Sequence, residues 1–123
     1  MERDLLDEFL GPLHTLFRRS RQAYDGYRAH GQSFLFARII KECNEAIRDL
    51  LLRHAHRLPG PLQDDALALI GHYDVWTVSW NDLRDRINPG LDQAFVFETL
   101  VGFPKEAERR LESYYEQRVA ESS

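Results

Sequence analysis

A chain of 123 residues with a formal net charge of −4 and 43% hydrophobic residues is one domain's worth of core, long enough to bury roughly two thirds of its unfolded surface without staples. The acidic balance argues against broad, charge-driven nucleic-acid binding, and no run approaches the ~18 apolar residues of a membrane span. A single cysteine excludes a disulfide framework, so a reducing, cytoplasmic setting is expected.

The start, MERDLLDEFLGPLHTLF, is amphipathic and acidic and has neither the basic region nor the unbroken apolar run of a signal peptide. Leu6, Leu10, Leu13, Phe17, Ser20, Tyr24 and Tyr27 then recur at four-three spacing as far as His30, which predicts a helix with one apolar face. Gly11 and Pro12 interrupt it. Interior proline costs about 3 kcal/mol, and the unbroken register predicts a kink there instead of two separate helices. Gly31 is placed to end this helix in the left-handed conformation and Ser33 to cap the next, a very tight antiparallel hairpin.

The central stretch, residues 34 to 58, carries Phe36, Ile40, Cys43, Ile47, Leu50 and His54 in the same alternation, with Ile39 and Leu51 widening the stripe. It reads as a long helix ended by Pro59, Gly60 and Pro61. On its apolar face Cys43 acts as a small buried hydrophobe. A third helix opens at Pro61, with Asp64 and Asp65 near its positive end, and shows the most regular seam: Leu62, Ala66, Leu69, Tyr73, Trp76, Trp80, Leu83 and Ile87. Trp76 and Trp80 are expected in the core. Asn88, Pro89 and Gly90 end it, and Pro104 opens a fourth helix that turns Ala107, Leu111, Tyr114 and Tyr115 inward, to about residue 119. The expected fold is all-α, an antiparallel up-down four-helix bundle forming a single domain over 1–123.

Residues 91 to 103, LDQAFVFETLVGF, do not fit a plain bundle. Phe95, Val96, Phe97, Leu100, Val101 and Phe103 are too apolar to be left in water. Either the stretch folds over the bundle as a cap or short strand, or it offers Phe95, Phe97, Leu100 and Phe103 to a partner. In extended chain Phe95 and Phe97 share one side and Val96 takes the other.

Chemistry is thinly signalled. The carboxylate pairs Asp4 with Asp7 and Glu8, Asp64 with Asp65, and Glu106 with Glu108 fall near helix starts, where they complement the macrodipole and stay solvated. His14, His30, His54, His56 and His72 lack the Glu-x-x-His spacing of a di-metal bundle, so no metal or other cofactor is expected. The cluster Arg18, Arg19 and Arg21, with Arg28 beyond it, meets phosphate or forms a solvated face paired with acidic neighbours. Arg48, Asp49 and His54, an arginine, a polar residue and a histidine after five intervening positions, resemble the signature of HEPN domains, small helical bundles of prokaryotic toxin-antitoxin and antiviral systems. The resemblance implies metal-independent RNA cleavage at a dimer interface. Arg48 would then steady the scissile phosphate, His54 would transfer protons and Asp49 would fill the polar position. The favoured expectation is a bacterial protein-interaction or accessory subunit, more readily not an enzyme, acting with a protein partner or as a homodimer in a defence or toxin-antitoxin complex. The HEPN-like ribonuclease, or its inactive relative, is the alternative, and only there does nucleic acid enter.

Overall fold

A computed structural model describes residues 2–98 and 101–122, and they form an all-α four-helix bundle. The first helix, α1, is continuous through Glu2–Leu5, a π turn at Leu6–Leu10, and Gly11–Ala29. Helix α2 is Phe34–His54 and tightens into a 3₁₀ turn at Ala55–Arg57. Helix α3 is Gly60–Ile87 and α4 is Lys105–Ser122. Each packs on the next in sequence, and α4 closes the ring against α1. None is long and apolar enough to cross a membrane.

The disturbance expected at Pro12 takes the form of a π turn. Proline has no N–H for a carbonyl four residues back, and just before it the Gly11 N–H reaches five residues back to the Leu6 carbonyl. The extra residue rotates what lies upstream, so Leu5 and Phe9 are buried where an unbroken register puts Leu6. A Cβ on Gly11 would stand 2.8 Å from the Leu6 oxygen. In an ordinary helix Gly→Ala gains up to about 1 kcal/mol. Here Gly11→Ala is expected to lose about 1–3 kcal/mol in urea denaturation, since the obstructing atom is backbone; a stabilised variant would refute the π turn.

At the first hairpin Gly31 and Gln32 both take left-handed backbone, at φ 68° and 52°. Ser33 sits at the start of α2, but its hydroxyl makes no capping bond. The Phe34 and Leu35 N–H groups donate instead to the carbonyls of Gln93 and Leu91, at 2.8 and 3.0 Å. Helix α2 ends at His54, four residues before Leu58, and α4 continues to Ser122, past the expected end near 119.

Those loop-to-helix bonds explain the apolar connection. Helix α3 has 28 residues and α4 only 18, about 42 and 27 Å of helix at 1.5 Å per residue, so α4 covers the fourth edge of the bundle over part of its length. The extended stretch after α3 fills much of the remainder. It pairs with the start of α2 through the isolated bridge Ser33–Ala94 and places Phe95 among Phe34, Trp80 and Phe97. The core is correspondingly in two parts. One joins all four helices around Phe9, Leu13, Phe17, Ile47, Leu51, Leu69 and Leu111. The other joins three helices and the loop around Ala23, Phe34, Ile40, Trp76, Trp80 and Phe95.

A lateral cleft between the two halves of the core

Where the loop gives way to α4, the packing opens into a cleft of about 650 Å³ lined by residues of all four helices and the end of the loop. Phe17, Tyr24, Tyr73 and Phe103 supply its aromatic surface, and Arg21, Arg28 and Lys105 its cations, with Asp25 and Glu108 beside them. Arg28 is held by Asp25 at 2.8 Å. Arg21 lies 3.4 Å from Glu108 and 3.9 Å from Glu112. Glu112 in turn accepts from or pairs with His14 Nδ1 at 2.7 Å, and His14 stacks on Tyr115.

Two polar groups lie deep in the cleft. Asn44 is 4% exposed and Tyr73 3%, yet no other described group hydrogen-bonds the Asn44 amide or the Tyr73 hydroxyl. Burial pushes the Tyr73 hydroxyl far above its ordinary range, with the Glu108 carboxylate adding to it, so it is a proton donor at any physiological pH. Burial also raises Glu108, against the opposing pull of Arg21. Neither group is among the fully buried side-chain atoms without a partner, which in the described residues are His72 Nδ1, Asn81 Oδ1 and Glu112 Oε1, so both remain accessible from the cleft.

Behind the cleft-lining Tyr73 and Phe103 lies His72, a buried residue edge-on to both rings, whose Nδ1 has no partner among the described residues. Burial holds its pKa below 6.5, opposed by a backbone hydrogen bond to Gly102. The unfolded chain therefore takes up a proton near pH 6.5 that the folded chain refuses. Stability is full above that value and falls as pH drops toward the lowered folded pKa, by about 1.4 kcal/mol per unit of depression. His54, also lowered by burial and by Arg57, adds in the same direction. Thermal melts at pH 7.5 and 5 are expected to differ more for wild type than for His72→Phe; equal pH dependence in the two would exclude His72 as a source.

The residues singled out in the sequence are distributed elsewhere. Arg48 pairs with Asp74 of α3 and with Asp49. His54 stacks on Phe9, at 5.2 Å between centroids, and contacts Arg57 at 3.2 Å. The two therefore face different neighbours; the tightened 3₁₀ turn after His54 leaves its ring on α1 without turning it toward Arg48.

Of the aromatics assigned to a partner, Phe95 is 0% exposed and belongs to the chain's own core, which corrects that assignment. Phe97 packs on Trp76, Phe103 is 37% exposed on the cleft wall, and Leu100 lies outside the described residues. Two carboxylates expected to be solvated are not. Asp65 is buried and takes both arms of Arg110 at 2.8 Å, tying α3 to α4, and Glu108 is half-buried in the cleft. Among the described residues no group of three histidine, cysteine or acidic side chains could hold a metal ion.

Comparison with protein-family models, with curated proteins and with solved structures gave no match.

Proposed function

We propose that the chain is an accessory recognition protein, a helical module that receives an aromatic group bearing negative charge in its lateral cleft. The observation that carries this is a pair of largely buried residues, Asn44 and Tyr73, whose polar groups no other described residue bonds and which line a cavity walled by aromatic rings. Clefts of a few hundred Å³, mostly apolar and with a few convergent polar groups, are the usual form of small-molecule seats. Arg21, Arg28 and Lys105 set the sign of the charge received, outnumbering the two carboxylates that line the same cleft.

The HEPN-like alternative has less support, because Arg48 is bound by two carboxylates and His54 lies on a different neighbour. The test uses 8-anilinonaphthalene-1-sulfonate, an aromatic anion whose fluorescence rises in apolar surroundings. It is expected to bind the folded protein, and Phe103→Ala or Arg28→Glu to weaken it by about three- to tenfold, the scale of one lost aromatic or charge contact. Val78→Ser, on an exposed part of α3, is expected to leave it unchanged. Binding indifferent to both cleft substitutions would remove the proposal.

A further inference from the structure

We infer that the cleft takes a purine nucleoside phosphate, its base seated against Asn44 and Tyr73 and its phosphate at the Arg28–Lys105 rim. The inference rests on the cleft being a recognition seat and adds the class of ligand.

The depth of the cleft separates heteroaromatic rings from hydrocarbon ones. A benzoate-like ring would satisfy the aromatic walls and the cations but leave Asn44 and Tyr73 as unbonded as they are now. A base edge offers donor and acceptor side by side, the pattern a carboxamide reads in bidentate fashion. Asn44 is 4% exposed, so only a group inserted to the floor reaches it. Tyr73 adds a neutral hydroxyl to the same lining, and Phe17, Tyr24 and Phe103 offer aromatic surface for a base to pack on. The volume, about 650 Å³, is in the range of seats that enclose molecules of nucleotide size.

At the mouth the chemistry changes from neutral to cationic. Arg28 is tied only to the exposed Asp25, and Lys105 has no ion pair with another described residue. Lys105 also begins α4, whose first turn leaves the N–H groups of Glu106 and Ala107 without a backbone acceptor. Helix starts of this kind favour phosphate. The amide, the aromatic rings and the cations thus line one cavity.

Adenosine monophosphate, adenosine and inorganic phosphate are the probes, each titrated by calorimetry into the full chain and in competition with 8-anilinonaphthalene-1-sulfonate. Adenosine monophosphate is expected to bind and displace the dye, adenosine to bind at least about fivefold more weakly, and phosphate alone to bind more weakly still. Asn44→Leu is expected to weaken adenosine monophosphate at least about tenfold while its melting temperature stays equal or rises, because no other described residue bonds the amide it removes and the new side chain is apolar. Tyr73→Phe gives a second variant with almost unchanged packing and an expected loss of about threefold or more. Arg28→Ala is expected to weaken the monophosphate and leave adenosine unchanged. A dye that binds the cleft and is not displaced by adenosine monophosphate would overturn the nucleotide assignment and leave the recognition reading standing. Nucleotide affinity unaltered in both Asn44→Leu and Tyr73→Phe would overturn it as well. A dye insensitive to Phe103→Ala and Arg28→Glu would instead remove the recognition reading itself.

Discussion

Phe95→Ala is expected to lower the free energy of unfolding by about 3–5 kcal/mol, the range for removing a fully buried phenylalanine. The ring is 0% exposed and lies 5.0 Å from Trp80 and 5.1 Å from Phe34, centroid to centroid. More than packing depends on it. The Phe95 N–H donates to the Gln32 carbonyl, Tyr27 donates to the Phe95 carbonyl, and the segment just before it caps the start of α2. A loosened ring therefore also exposes two otherwise unbonded N–H groups of that helix. Phe97→Ala, on a half-buried ring, is expected to cost less, and Val96→Ala, on a side chain 54% exposed, to be close to neutral. Urea denaturation measures all three. Size-exclusion chromatography of Phe95→Ala should show unchanged association, since the ring faces inward. A Phe95→Ala protein as stable as wild type would mean that the loop is not part of the core.

Much of this fold can be read from the sequence. Proline and glycine at 59–61 and 88–90 mark helix ends through elementary backbone chemistry, and the seams of α1, α3 and α4 name most of their buried residues. The alternation of Phe95, Val96 and Phe97 correctly separates inward from outward side chains. Their destination was not legible, because it depends on α4 being shorter than α3, and the sequence places no residue opposite the gap that this leaves. Asp65 shows a related limit. An aspartate in a helix's first turns reads as a solvated complement to the dipole, and only its partner Arg110, 45 positions away, reveals a buried ion pair.

The cleft was partly visible. Arg21 and Arg28 stood out as cations able to meet phosphate, and both reach its rim. Tyr73 was placed correctly on the α3 seam. Asn44 was missed for a definite reason: a four-three alternation through Phe36, Ile40, Cys43, Ile47 and Leu50 gives an average period of 3.5 and passes over it. The buried face of α2 runs through Phe34, Ala37, Ile40, Cys43, Asn44, Ile47 and Leu51, so it is centred to one side of that alternation instead of following it. The two stripes share Ile40, Cys43 and Ile47, but the buried one is turned toward Ala37, Asn44 and Leu51, enough to exchange Leu50 for Leu51 and to turn an asparagine inward. A polar residue at four-three-four spacing with Ile40, Ile47 and Leu51 was the available signal.

That offset of the buried face makes the remaining large prediction. Leu51→Ala is expected to cost about 2–5 kcal/mol in urea denaturation, because the side chain is 0% exposed and packs within the cluster that joins all four helices. Leu50→Ala, on a partly buried neighbour at the edge of the same cluster, is expected to cost about 1 kcal/mol. The two substitutions remove identical atoms one position apart on one helix, so helix propensity and unfolded-state effects nearly cancel and the ratio reports which way the helix is turned. The reverse order would turn α2 by roughly 100° about its axis. Asn44, close to two helical turns before Leu51 on the same face, would then leave the floor of the cleft, and the recognition site would lose the buried amide on which it rests.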